Sequence, residues 1–145
     1  MRRLIALSLL FVMVPLHSDE VVYHSPPESE IDCMVKNAFY EANGEGSIGR
    51  QLVMLVTQNR SPTNWCSAVY AYRQFSWTLS PRKKIPETSY KKIRDEVLAF
   101  YAGYHEAPAQ LRKATYFHTH SVSPSWAPKL KKLGVYKNHV FYTRK

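Results

Sequence analysis

Two short segments of the chain contain the residues best suited to chemistry on a substrate. The segment from Phe39 to Gly46 contains Glu41, and the segment from Gln74 to Trp77 combines an amide, a hydroxyl and an indole. Glu41 falls at the edge of an apolar helical stripe, just before an Asn43-Gly44 pair that is typical of a helix end. The negative end of the helix dipole and partial burial both raise the pKa of such a carboxyl group. We therefore predict that Glu41 can give up a proton near neutral pH.

The elements that must position these residues are predominantly helical. A stripe of apolar residues at helical spacing, Ile31, Met34, Val35, Ala38 and Ala42, predicts the first helix. The predicted helices span residues 29–42, 47–59, 65–72 and a fourth that starts at a Thr88 or Ser89 cap and ends before Gly103. We expect an exposed loop or irregular hairpin from Arg73 to Pro86, and we expect this loop to border a groove.

The C-terminal part of the chain is less regular. We predict a strand within residues 114–120, a short basic helix over residues 126–133 and a closing strand over residues 138–142. Trp126 and Phe141 are expected to be core aromatic residues, and Asn59 a buried hydrogen-bonding strut. The predicted fold class is α+β, mostly α, with a minor β element.

Composition is that of one globular domain. The chain has 145 residues, an apolar share of 45%, three Trp and ten Tyr, which excludes a disordered protein. The formal net charge of +9 suits an anionic polymer such as the cell wall, or its membrane surface. A nucleic-acid partner would also explain this charge, but no DNA- or RNA-reading motif is present, so no nucleic-acid partner is expected.

The N-terminal segment has the pattern of a secretory signal. Arg2 and Arg3 precede an apolar run from Leu4 to Leu16 that is too short to span a bilayer. We predict a signal peptide over residues 1–18, a linker over 19–27 and a catalytic domain over 28–145. An uncleaved membrane anchor is the alternative, and only then is a membrane contact expected. Cleavage after Ser18 would remove two arginines and leave a net charge of +7. The expected location is outside the cytoplasm, in the periplasm or cell envelope.

Cys33 and Cys66 are the two cysteines of the chain. Export permits a disulfide, so we predict that they pair and tie the Glu41 helix to the segment that begins at Trp65. Two buried thiols are the alternative.

The order of motifs resembles the SleB-type cell wall hydrolases, the spore cortex-lytic enzyme family, over nearly the whole predicted domain. The matching pieces are Cys33 leading into Phe39-Tyr-Glu-Ala-Asn-Gly-Glu45, then Gln58-Asn-Arg60, Cys66, Gln74-Phe-Ser-Trp77, Ala114-Thr-Tyr-Phe-His118, Val122-Ser-Pro-Ser-Trp126 and His139-Val-Phe-Tyr142. Asn43 departs from the pattern, which usually has Arg there, and the turn from Gly46 to Ile48 lacks the Pro often found in the family.

This resemblance implies a small goose-lysozyme-like or lytic transglycosylase-like domain that acts on peptidoglycan glycan strands, with Glu41 as the catalytic acid. Cleavage of a β-1,4 glycosidic bond needs an acid to protonate the leaving oxygen, and many hydrolases add a second carboxylate. Glu45 is the nearest second acid in the sequence. It is either a substrate ligand or a charge that favours the start of the second helix. The resemblance implies a lytic transglycosylase with one glutamate, and hydrolysis stays open as the alternative.

The remaining candidates are expected to contact sugar. The side chains of Gln74, Ser76 and Trp77 could hydrogen-bond and stack on a pyranose, or simply pack a loop. Tyr116 and His118 share one side of the predicted strand with His120, and we predict contacts of Tyr116 and His118 with the glycan. No metal site and no cofactor are expected. The protein is expected to be a monomer. A non-catalytic, basic cell-wall-binding module is the alternative function.

Overall fold

The computed structural model describes residues 25–80 and 82–145. The predicted signal peptide and most of the predicted linker lie outside these residues. Within them, the α-helices are α1 (Glu28–Ala42), α2 (Gly46–Arg60), α3 (Trp65–Tyr70) and α4 (Glu87–Tyr101), and the strands are β1 (Tyr116–Thr119), β2 (Lys131–Tyr136) and β3 (His139–Thr143). Short 3-10 helices cover Asn43–Glu45, Ser76–Leu79, Ala109–Leu111 and Ala127–Lys129.

Helix α1 lies at the centre of the helical layer and packs against α2, α3 and α4. Its predicted stripe is buried, with Ile31, Met34, Val35 and Ala38 fully inaccessible to solvent. This burial confirms the helix that hydrophobic spacing predicts. Apolar residues of α2 and α4 complete the core on the other side of α1.

The three strands form one antiparallel sheet in the order β1–β3–β2. Phe117 lies opposite Phe141, and Tyr116 lies opposite Tyr142. Side chains alternate along a strand, so Phe117 and Phe141 point to the helices while Tyr116 and Tyr142 lie on the outer face. Phe141 is fully buried, as predicted. The sheet therefore closes one side of the core and presents the outer face of β1 beside the helical layer.

The end of α1 differs from the prediction. Asn43 has right-handed helical angles (φ −57°), a 3-10 turn follows, and the positive φ of 79° occurs later, at Gly46. Arg50 holds this turn because its Nη1 donates to the Asn43 carbonyl oxygen at 3.3 Å while its guanidinium pairs with Glu96 of α4. The helix that carries Glu41 is therefore joined to α2 by one compact turn and not by a glycine cap.

Two other predictions were wrong at element boundaries. Thr88 and Ser89 lie inside α4, which follows Pro86 and has no side-chain cap. Residues 126–133 do not form a helix, because the chain makes a 3-10 turn and then enters β2. Pairing with β3 decides this segment, since strand formation depends on an available partner more than on local preference.

Two contacts fix α1 to the elements around it. Cys33 and Cys66 form a disulfide with their Cα atoms 5.2 Å apart, which confirms the predicted pair and ties α1 to α3. The buried amide of Asn37 donates to Thr57 Oγ1 at 3.0 Å and accepts from Trp77 Nε1 at 2.9 Å. This one side chain therefore connects α1 to α2 and to the loop that carries Trp77.

Candidate active site

The Glu41 side chain lies in the last turn of α1 and is partly buried. Burial raises the pKa of this carboxyl group to about 7, and the positive charges of Arg82 and Arg60 partly oppose the increase. Among the described residues, no side chain forms a hydrogen bond or ion pair with Glu41. A partly buried acid that is half protonated at neutral pH is suited to proton transfer.

Arg60, the last residue of α2, connects the helical layer to the sheet near Glu41. Its Nε donates to the Thr115 carbonyl oxygen at 2.6 Å, and its guanidinium lies 5.0 Å from the Tyr116 ring centre and 5.3 Å from the Phe75 ring centre. Burial lowers the pKa of Arg60 to about 10, so the group is still positively charged at neutral pH. Its Nη1 atom is buried and has no hydrogen-bond partner.

We did not predict a role for Arg60 from the sequence. The only signal was its place in the Gln58-Asn-Arg60 piece of the family resemblance. The neighbouring Asn59 donates to the carbonyl oxygens of Arg112 and Ala114, so it is the predicted strut. Asn59 is exposed, however, and the prediction that it is buried was wrong.

Arg82 provides the second positive charge near Glu41. This residue is exposed, and its Nε donates to the carbonyl oxygen of Trp77 at 3.4 Å. Glu41 therefore lies between one arginine fixed to β1 and another on the loop that follows Trp77.

Glu45 lies in a different environment from Glu41. Its side chain is 7% exposed, with Oε1 4.0 Å from His139 Nδ1 and Oε2 without a partner. Burial lowers the pKa of His139, and the nearby Glu45 raises it in part. Lys137 donates to the Glu45 carbonyl oxygen at 2.6 Å, and a Cβ atom at Gly49 would lie only 2.2 Å from Glu45 Cβ. The predicted substrate contact of Glu45 is therefore not supported by its position, which faces the interior.

The three candidates of the Gln74 to Trp77 segment have different surroundings. Gln74 and Ser76 are exposed, and Gln74 lines a cavity together with Arg60. Trp77 is 7% exposed and packs against Tyr40, with 4.8 Å between ring centres. Its indole N–H is already bonded to Asn37. Little of the Trp77 ring is left for a sugar, so its position favours a packing role.

Tyr116 and His118 form an aromatic cluster with Trp126 and Tyr142 on the outer face of the sheet. Ring centres in this cluster lie 5.3–5.7 Å apart. Both ring nitrogens of His118 are occupied, Nδ1 by the Thr119 carbonyl oxygen and Nε2 by the Tyr142 hydroxyl. Tyr116 contacts Arg60 and lines the same cavity as Gln74. Trp126 is only partly buried and belongs to this cluster, so the prediction of a core tryptophan was wrong.

Arg60, Tyr116 and Gln74 line one cavity, and Glu41 lies near enough to Arg60 for their charges to interact. The structure leaves Glu45 and Trp77 largely inside and engages both His118 nitrogens within the sheet. In the part of the chain that the structure describes, no three His, Cys, Asp or Glu side chains are grouped as a metal site. No helix in residues 25–80 and 82–145 is long and apolar enough to cross a membrane.

A family profile matches the larger part of the chain. The profile of the Cell Wall Hydrolase family matches residues 44–142, which is more than half of the chain. The chain belongs to the cell wall hydrolase family. The matched segment includes Glu45 and Arg60 but begins just after Glu41, so it does not bear on the role of Glu41. No curated protein sequence matches the chain significantly.

Two solved structures have a similar fold. They are the catalytic domain of the Bacillus cereus SleB protein and the catalytic domain of the germination-specific lytic transglycosylase SleB from Bacillus anthracis. Each is 18% identical to this chain with a TM-score of 0.62. The first match covers 82% of this chain and 93% of that domain, and the second covers 81% and 96%. These likenesses confirm the expected fold, a mostly helical domain with a small sheet.

Proposed function

We propose that this cell wall hydrolase cleaves the β-1,4 bond between N-acetylmuramic acid and N-acetylglucosamine in peptidoglycan, with Glu41 as the general acid and base. The observation that carries the proposal is the state of the Glu41 carboxyl group. It has a pKa of about 7, lies in the last turn of α1, and is close enough to Arg82 and Arg60 to interact with their positive charges. Family membership gives the cell wall as substrate, and the fold likeness to two SleB domains is consistent with a glycan strand.

In the proposed reaction, protonated Glu41 donates its proton to the glycosidic oxygen as the bond to the muramic acid C1 breaks. Positive charge then develops on that sugar ring while Glu41 becomes a carboxylate. The carboxylate next removes the proton from the 6-hydroxyl of the same muramic acid, and that oxygen bonds to C1. The products are a 1,6-anhydro sugar and a free 4-hydroxyl, and Glu41 is protonated again.

The surroundings of Glu41 favour attack by the 6-hydroxyl of the same sugar over a hydrolysis that uses two carboxylates. Glu45, the nearest acid along the chain, is buried beside His139, so it is badly placed to form a covalent intermediate or to activate a water on the sugar. One carboxyl group that serves first as acid and then as base is sufficient for the anhydro route. One of the two structural neighbours is itself described as a lytic transglycosylase.

We further infer that the protein acts outside the cytoplasm as a monomer. Its substrate lies there, the N-terminal segment has a signal pattern, and the Cys33–Cys66 disulfide suits an oxidising compartment. N-terminal sequencing of the exported protein distinguishes a cleaved signal from a retained anchor. Light scattering of the purified protein checks the oligomeric state.

The test is digestion of purified peptidoglycan with wild type, Glu41→Gln and the exposed control Glu87→Gln, with product masses as the readout. We expect anhydro fragments from wild type and the control, and a loss of roughly 10²–10⁴-fold for Glu41→Gln, because the amide cannot transfer the proton. Lysis by Glu41→Gln at a rate near that of wild type would refute the assignment. Products that contain an added water would show that the enzyme is a hydrolase and not a transglycosylase. Wall binding without soluble fragments would instead indicate the non-catalytic module.

A further inference from the structure

A cavity of about 580 Å³ lies beside Arg60, between the end of α2, helix α3 and the first and last strands. Its lining is mostly polar and includes Arg60, Gln74, Thr115, Tyr116 and Arg144, while Ala68 and Ala71 are its apolar residues. None of the described residues that line it carries a carboxylate. The proposed catalytic reaction does not use this space.

Two buried polar atoms in the lining have no partner in the protein. They are Nη1 of Arg60 and Oγ1 of Thr115. Buried donors and acceptors are nearly always satisfied in folded proteins, because an unpaired one retains the full cost of its lost hydration. Both residues lie at the same end of β1, where Arg60 also bonds the Thr115 carbonyl oxygen. The two atoms therefore indicate an acceptor that comes from outside the chain.

The charge of the cavity indicates that this acceptor is an anion. Arg60 and Arg144 both line the cavity, and they are near enough for the positive charge of Arg144 to lower the pKa of Arg60. The negative charge of Glu41 acts on Arg60 in the opposite direction, but Glu41 does not line the cavity, so both charged side chains in the lining are positive. A single guanidinium group can bind a carboxylate through two parallel hydrogen bonds, and a second positive charge nearby strengthens the attraction.

We propose that the cavity binds a carboxylate of the peptide stem that muramic acid carries on its lactyl group. The proposal rests on the proposed function, because Arg60 links the cavity to Glu41 and the stem is the charged group nearest to the scissile bond. The volume lies within the usual range for a ligand pocket and is large enough for one or two amino-acid residues. Binding of the stem there makes the enzyme prefer glycan that still has its peptides.

The experiment uses the full-length protein and the Arg144→Gln variant, with Lys145→Gln as the matched control. Arg144 lines the cavity, whereas the adjacent Lys145 has the same charge and does not. The first measurement is the affinity of a free muramyl tripeptide for protein that also carries Glu41→Gln, by titration calorimetry. We expect Arg144→Gln to weaken this binding about tenfold, from the loss of a charge-assisted hydrogen bond, and Lys145→Gln to leave it unchanged.

The second measurement is kcat/KM on two glycans, one with its peptide stems and one stripped of them by an amidase. Arg144→Gln should lower the preference for the peptide-bearing glycan about tenfold, mainly through KM. Equal tripeptide binding by Arg144→Gln and Lys145→Gln would overturn the proposal, even if both glycans are cleaved. Failure of the wild type to cleave either glycan, together with weakened binding by Arg144→Gln, would refute the proposed function and support the anion site.

Discussion

Replacing Glu41 by glutamine should stabilise the protein at alkaline pH while it removes activity. Burial raises the pKa of this carboxyl group from 4.5 to about 7. A raised pKa means that the folded protein disfavours the charged form, so the contribution of this group to stability is complete below pH 4.5 and is lost as the pH rises through 7. The neutral amide of glutamine does not ionise and avoids this loss.

The size of the effect follows from the shift. A difference of about 2.5 pKa units corresponds to about 3 kcal/mol of unfolding free energy at pH 8, and to almost nothing at pH 4. For a domain of this size, that is roughly 10 °C or more in the melting temperature. The gain should therefore be large for Glu41→Gln at pH 8 and close to zero at pH 4.

The assay is urea unfolding followed by circular dichroism at both pH values. Glu87→Gln is the matched control, because this glutamate is exposed at the start of α4 and its substitution should change stability by less than about 0.5 kcal/mol. An equal effect of Glu41→Gln at pH 4 and pH 8 would refute the reasoning. In that case the carboxyl group is not held in a partly desolvated site, and its choice as the proton donor loses its physical basis.

Other predictions concern the surroundings of Glu41. Arg82→Gln should raise the pKa of Glu41 and move the alkaline limb of the pH–rate profile to higher pH, because the positive charge of Arg82 favours the carboxylate. Cys33→Ser should lower the unfolding free energy by about 2–4 kcal/mol, as expected for loss of a cross-link that spans 33 residues of sequence, and urea unfolding measures this change. Gly49→Ala should destabilise the protein by about 2 kcal/mol or more, because the new methyl group meets Glu45 Cβ at 2.2 Å and the packed turn must move.

Two of these variants have a neighbouring residue that serves as a control, and the third is checked with a reductant. Lys83→Gln removes a positive charge from the same loop and should leave the pH–rate profile in place, so an equal shift would contradict the role given to Arg82. Gly44→Ala adds a methyl group where nothing lies within 4 Å, so a loss similar to that of Gly49→Ala would contradict the steric argument. Treatment of the Cys33→Ser variant with a reductant should not destabilise it further.

The helical layer could be predicted from sequence because its signals are local. The spacing of Ile31, Met34 and Ala38 specifies one buried face, and the disulfide follows from the cysteine count and the export signal. The segment from Trp126 to Leu133 was mispredicted because its strand depends on pairing with β3. Sequence spacing contains no information about such a partner.

The candidate site was predictable only in part for a related reason. The position of Glu41 at the edge of the α1 stripe follows from helical spacing, and its partial burial there raises the pKa. The role of Arg60 does not follow from spacing, because it arises where the end of α2 meets β1, far along the sequence. Nor could spacing tell that Trp77 is held inside by Asn37 or that Glu45 turns toward His139. Residue types suggested sugar contacts, and tertiary packing decided which side chains are accessible.

The strand order has a consequence for biosynthesis. β3 is the middle strand of the sheet but the last of the three to leave the ribosome. Until β3 is synthesised, β1 and β2 lack the strand with which they pair. Phe141, which belongs to β3, cannot yet pack against the helices. The helices, whose contacts are close in sequence, can form earlier in synthesis. The sheet, by contrast, is complete only after residues 139–143 have been synthesised.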